Sequence, residues 1–439
     1  VSVTNEHADA LAWVFKNDSS TRTEKSLEYR ETISISNSEL AGHVHILGQS
    51  GMGKSTLIEQ FILQRAKAGE GVCFIDPHGT SAERILDTLP AFRTKDVLYI
   101  NPACDEYAIG INLLEKPDNP NDRGVIVSEV MRMFKGLFAD SWGVRIEQIL
   151  RNTVLALLEC EKATLLSIRR MLVNKNYREY VLGHITNHVV KEYWREEFSR
   201  YPTRNLTDIT GSTLNKIAPF IADDRMRRIV GQTKSTFDFR RGMVEKKIVI
   251  VNLSKSRVGK EQARNLGALI VTKIAIEAMQ RDEREALANV YPVVIDEIQN
   301  VSTEVISEVV TESRKGELAL IGAHQYLDQF NRSQEVVRKA LVNGTRTKIL
   351  FQLGQDDAET YERVLSKGKP QTDWKAGELQ STGPFNALIN SDKQREFFET
   401  EPEDLSFGQY EAIKKESNYS FGRRVKQVDE ALNRFYLAH

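Results

Sequence analysis

Apolar residues fall along this chain in two alternating rhythms. Short apolar runs at 43–47, 71–76 and 96–100 end at glycine, aspartate or asparagine, and apolar residues at helical spacing follow the first two. Runs of that length fit strands and the spaced residues fit helices, so strand and helix are predicted to alternate. Leu57, Phe61 and Gln64 mark one face of a helix over 56–65, and Thr80 or Ser81 can cap the next, which ends near residue 89. Continuous apolar strands separated by helices argue for a parallel sheet covered on both faces.

The rhythm breaks at Pro117, Asp118, Asn119, Pro120, Asn121 and Asp122, a linker by composition. Residues 119–243 then read almost wholly helical, without a strand pattern. Val144, Ile146, Ile149, Leu150, Val154, Leu157 and Leu158 form one stripe, Thr164 caps a helix over 165–172, and two more helices are predicted over 189–200 and 206–221. Strands return at 247–253, 290–295, 318–323 and 347–353, with helices over 261–281, over 303–315 and ending near 343. Beyond them the pattern carries one strand, 385–389, and a basic helix over 425–436. Residues 1–40 are polar and broken, with 10–15 read as a helical turn and 33–35 as an edge strand. The expected organisation is a lead-in (1–40), the first half of an α/β core (41–118), an all-α insertion domain (119–243), and the second half of the core with a C-terminal extension (244–439). The two halves must share one sheet, so the insertion is expected to leave and return at one edge of it.

Composition adds bounds. The chain has 439 residues, 41% hydrophobic and 28% charged, as in a soluble globular protein of two or three domains. A net charge of −1 gives no global basic field, although a basic channel lining can be offset by an acidic exterior. Cys73, Cys104 and Cys160 are widely separated and form no C-x-x-C pair, so reduced thiols and a cytoplasmic location are expected, with Cys73 in the core. No run approaches the roughly 20 apolar residues of a membrane span, and no signal peptide is present. The chain opens on Val1, so membrane attachment, at the inner face of the cell membrane, is expected only through a missing segment or a partner.

The candidate chemistry begins at Gly48, Gln49, Ser50, Gly51, Met52, Gly53, Lys54 and Ser55, which fit the phosphate-cradling pattern G-x-x-x-x-G-K-[ST] between a predicted strand and helix. The glycines let backbone N–H groups turn onto phosphate oxygens, and the helix start adds free amides and a positive dipole end. Lys54 reaches the β- and γ-phosphates, the Ser55 hydroxyl ligates Mg²⁺, and Thr56 completes the nucleotide-binding set. The second motif is Asp296 and Glu297, at the end of four apolar residues. There Asp296 supports the metal and Glu297 orients or deprotonates water. Gln325, ending the next strand, is positioned to sense the γ-phosphate or the lytic water, whereas His324 reads as structural. Asp76 and His78 follow the second strand, where a nucleotide contact and a plain turn capped by Asp76 weigh equally. Lys255, Arg257 and Lys260 are candidate DNA contacts, against the commoner reading of a solvated charged loop. Arg240, Arg241, Lys246 and Lys247 form a basic run at the domain junction.

The ordered set HVHILGQSGMGKST, FIDPHG, DVLYINP, WGVRIEQILRNTVLALLE, GQTKSTFDFRRGM, IVIVNLSKSRVG, VVIDEIQN, ESRKGELALIGAHQ and NGTRTKILFQLG resembles the conjugative coupling proteins of type IV secretion, within the FtsK–HerA class of DNA-pumping ATPases. The likeness runs from about 43 to 353. It implies a RecA-like P-loop core with an inserted all-α domain. It implies ATP and Mg²⁺ as cofactors, bound between subunits of a hexameric ring that threads DNA. Lys54, Ser55, Asp296 and Glu297 match the nucleotide and metal positions, Gln325 matches the sensor, and Arg314 matches the arginine reaching the neighbour's ATP, with Arg346 a second candidate. The insertion matches the domain that meets relaxosome or secretion-channel partners. No N-terminal membrane segment and no long acidic tail accompany the motor motifs. Three other readings stay open: a secretion-apparatus ATPase for assembly or export, a repair or packaging translocase of the HerA kind, and a nucleotide-gated scaffold, against which Glu297 argues.

Overall fold

The computed structural model describes residues 10–15, 32–282, 284, 286, 289–301, 304–312, 318–366, 376–400 and 406–437. Its strands, in chain order, are β1 Ala10–Phe15, β2 Thr32–Ser36, β3 Val44–Leu47, β4 Val72–Asp76, β5 Val97–Ile100, β6 Tyr107–Ala108, β7 Ile248–Asn252, β8 Pro292–Ile295, β9 Ala319–His324, β10 Thr347–Leu350, β11 Asn386–Asn390, β12 Arg395–Glu399 and β13 Arg423–Arg424. Eleven of them form one sheet in the order β2-β1-β12-β11-β10-β3-β9-β8-β4-β7-β5. From β10 to β5 every pairing is parallel. The strands β11, β12, β1 and β2 extend it antiparallel.

Alternate side chains of the parallel strands enter opposite cores, which is why the runs are apolar throughout. Cys73 and Ile75 belong to one apolar cluster; Val72 and Phe74 belong to the other. The second cluster lies beneath α1 (Lys54–Lys67) and α2 (Thr80–Thr88).

The insertion leaves after β5, the outermost strand, and the chain re-enters as β7 beside it, as a single sheet requires. Because β5 and β7 are parallel, the insertion also serves as their crossover. Among its described residues it holds helices and no strand, including α3 (Arg123–Leu137), α4 (Val144–Leu157), α5 (Leu165–Val173) and α6 (Thr203–Ile221). Val144 differs from its predicted stripe: it is the first residue of α4 and stays exposed. The insertion does not stand off the core. Val130 and Phe134 of α3 share one apolar cluster with Leu266 of α7 (Lys260–Met279), Val305 of α8 (Glu304–Glu312) and Ile75 of the sheet.

Residues 10–15 pair as a strand, with Trp13 opposite Ser34, not as the expected helical turn. A short apolar run is ambiguous between the two, and a sheet edge needing a partner decides it. The C-terminal part holds more than its pattern showed. β11 and β12 form a hairpin, and α9 (Glu335–Gly344), α10 (Gln355–Ser366) and α11 (Tyr410–Phe421) precede the expected final helix α12 (Val425–Leu437). α12 lies on the insertion, where Val428 and Leu432 pack with Leu166, and Arg228 donates from Nε and Nη2 to Asp429 at 2.8 and 2.9 Å.

Candidate active site

The carboxyl ends of β10, β3, β9, β8 and β4 lie side by side, and the motif residues sit in the turns that follow them. Crevices at the carboxyl edge of parallel strands are the usual ligand sites of such sheets. The phosphate loop leaves β3 with Gly51 and Gly53 at φ 78° and 112°, values that favour glycine. Gly48 is held for a different reason: a Cβ there would stand 2.4 Å from the Cβ of Phe351. Lys54 is buried and donates through Nζ to the carbonyls of Gly48 at 2.6 Å and Gln49 at 3.0 Å, so its ammonium sits within the curl of the loop. Burial lowers its pKa, while Asp296 and Glu297 pull the other way. Gln49, Ser50, Gly51 and Ser55 are exposed at the mouth, with Met52 and Thr56 half-buried beside them.

Asp296 and Glu297 are each 7% exposed. Burial, with Glu297 and Asp76 close by, pushes the Asp296 carboxyl up to about 7. Its Oδ1 accepts from the Glu297 backbone N–H at 3.0 Å. Glu297 adopts φ 47°, ψ 53°, a left-handed conformation costly for a side chain with a Cβ. Asn300 holds it there, donating from its backbone N–H and from Nδ2 to the Glu297 carbonyl, each at 2.9 Å. The Glu297 carboxylate is gripped by three amides. Gln325 Nε2 donates to Oε1 at 2.8 Å, and Gln299 and Gln329 donate to Oε2. Gln329 is oriented by accepting the Gln325 backbone N–H at 2.9 Å.

Behind this edge runs a buried chain of rings. His324 Nδ1 lies 3.0 Å from the Tyr326 carbonyl, which can only accept. Nδ1 therefore carries the hydrogen, and Nε2 accepts from His45 Nε2–H at 2.6 Å. His45 Nδ1 in turn accepts from the Tyr361 hydroxyl at 2.6 Å. Burial pushes the His324 pKa down to about 4 and that of His45 well below its usual value.

The remaining predicted residues separate. Asp76 accepts from the N–H groups of His78 and Ala82 at 2.7 and 3.0 Å, which is the turn-capping alternative. Arg257 donates to Glu83 at 3.3 Å, and Lys260 is exposed at the start of α7. Lys255 is half-buried; burial lowers its pKa, while Glu297, Asp296 and Asp76 oppose the shift, so it faces the acidic group. Arg346 precedes β10, at the opposite edge of the sheet from the phosphate loop, 3.9 Å from Asp392. Lys246 and Lys247 of the junction run pair with Glu70 and Asp96 at 2.6 and 2.8 Å. Arg314 lies outside the described residues. Sequence reasoning missed Gln299, Gln329 and Tyr361; only Gln299, beside the acidic pair, carried a local signal.

The parallel sheet, the phosphate loop after β3 and the acidic strand end after β8 together define a RecA-like P-loop fold. A family model described as the type IV secretion-system coupling protein DNA-binding domain matches residues 29–373, and the chain belongs to that family. Solved structures share the fold at low identity. The plasmid coupling protein TrwB with ADP and Mg²⁺ is 13% identical, over 92% of this chain and 97% of that one, with a TM-score of 0.61. TrwB with a non-hydrolysable GTP analogue is 14% identical, over 84% and 88%, at 0.60. VirB4 of Thermoanaerobacter pseudethanolicus is 15% identical, over 92% and 99%, at 0.58. No curated protein sequence matches the chain. Among the described residues, no helix is long and apolar enough to cross a membrane.

Proposed function

We propose that this coupling ATPase is the motor that moves DNA in conjugative transfer or type IV secretion, hydrolysing ATP at the subunit interfaces of a ring. The observation that carries the reading is the convergence of Lys54, Asp296, Glu297 and Gln325 at one sheet edge, in a chain of the coupling-protein family. The exposed Ser55 hydroxyl and the Asp296 carboxylate offer the hard oxygen ligands that suit Mg²⁺. Bound there, the ion supplies charge neutralisation to the phosphate oxygens. Loop amides and Lys54 hold the phosphates, and Glu297 takes a proton from the attacking water while Gln325 holds its carboxylate in place. Arg314 is proposed to complete the site of a neighbouring subunit, as in the family it resembles. Residues 119–243 are proposed as the domain that meets secretion or relaxosome partners, and attachment to the inner membrane face would come through another segment or protein.

ATP turnover of the purified protein, with and without single- and double-stranded DNA and across protein concentration, tests this. Stimulation by DNA, rising faster than linearly with protein, is expected. Slow turnover indifferent to DNA would favour the secretion-apparatus ATPase, the second reading that the sequence leaves open. Mixing Arg314→Ala with Lys54→Ala chains should restore part of the activity in mixed rings; no recovery in rings shown to be mixed would remove the Arg314 assignment.

A further inference from the structure

We propose that Phe385 is the base-stacking platform of the nucleotide site, an inference that rests on the ATP-binding reading above. The sheet order decides which way a bound nucleotide runs. Asp296 and Glu297 follow β8, on one side of the phosphate loop, and the terminal phosphate must face them. The nucleoside therefore leaves on the other side of β3, toward β10 and β11. Phe385 stands there, immediately before β11, with its ring on the loop: a Cβ placed on Gly53, the residue capping the start of α1, would lie 3.1 Å from Phe385 Cδ1.

The backbone beneath the ring is strained and braced. Phe385 has φ 62°, a left-handed value that glycine would adopt without cost. Its N–H donates to the Met52 carbonyl of the loop at 2.8 Å. Its own carbonyl accepts from the Thr400 N–H at 2.7 Å and from Thr400 Oγ1 at 3.1 Å. Strain held by several bonds beside a ligand site is the expected signature of a residue placed for that ligand. Packing alone does not account for the aromatic, because 37% of it stays exposed. A phenyl ring offers a base its π-face and no hydrogen bond, so the platform accepts purines without telling adenine from guanine.

Binding of Mg–ATP, Mg–GTP and Mg–tripolyphosphate to the full chain separates stacking from loop damage, because tripolyphosphate has no base. Phe385→Ala should weaken ATP and GTP by about tenfold and leave tripolyphosphate unchanged. Phe385→Tyr and Phe385→Trp, which keep the ring, should retain ATP affinity, and the Trp variant should show fluorescence quenching with ATP but not with tripolyphosphate. Equal weakening of all three ligands by Phe385→Ala, or no weakening of ATP, overturns the platform. A wild-type chain that binds neither ATP nor tripolyphosphate overturns the nucleotide reading itself.

Discussion

Gln325 donates from Nε2 to Oε1 of Glu297 at 2.8 Å, tying the end of β9 to the acid that follows β8. In the proposed mechanism this bond puts the sensor amide on the general base itself. Glu297→Gln should bind Mg–ATP normally and lose turnover by about 100-fold or more, the usual contribution of a positioned base. Gln325→Ala should lower kcat while leaving the Kd for ATP unchanged, because the amide acts through Glu297 and not as a phosphate anchor. Single-turnover hydrolysis together with nucleotide titration reads both, and an active Glu297→Gln enzyme would end the assignment.

Asp296 predicts a pH dependence. Its folded pKa of about 7 lies above the ordinary carboxylate value of 3.8. The folded chain therefore holds the proton more tightly, and stability present at low pH is lost as pH rises from about 4 through 7. Asp296→Asn removes that penalty. Without Mg²⁺ or nucleotide, the variant should gain on the order of 1–3 kcal/mol at pH 8 and little at pH 4, while losing Mg²⁺-dependent turnover. Equal gains at both pH values in thermal melts would contradict the burial argument.

The ring chain predicts the opposite slope. His324, lowered to about 4 by burial, gives stability that is present above its ordinary value of 6.5 and lost as pH falls toward 4. His324→Asn keeps a donor for the Tyr326 carbonyl and should reduce, without abolishing, the loss of urea stability between pH 6.5 and 4, because buried His45 and His43 keep their own part of the slope. Tyr361→Phe leaves His45 Nδ1 without its donor in a fully buried site, at a cost of about 1–3 kcal/mol at pH 7. Urea midpoints of both variants across that range give the answer.

Lys54 satisfies the carbonyls of Gly48 and Gln49 in this conformation, and in the proposed mechanism it turns to the phosphates when ATP binds. Lys54→Ala should abolish detectable turnover and weaken Mg–ATP binding at least tenfold, measured by calorimetry. Turnover within tenfold of wild type would place the phosphate site elsewhere.

The site was legible wherever chemistry is encoded by neighbours in sequence. The phosphate loop needs consecutive residues and particular φ values, so Gly51, Gly53, Lys54 and Ser55 announce it directly. Asp296 and Glu297 announce themselves by following a buried strand. No comparable signal marks Gln329 or Tyr361, whose partners lie 32 and 316 positions away.

The fold divides in the same way. Continuous apolar runs determined the parallel core, and helical period determined the insertion, because burial on both faces or on one stripe is written in local spacing. Whether Ala10–Phe15 pairs as a strand, whether the insertion shares the core, how far burial raises Asp296, and which side of the loop Phe385 faces depend on residues distant in the chain. Those outcomes follow from packing and desolvation between elements, and these interactions exist only once the sheet has assembled.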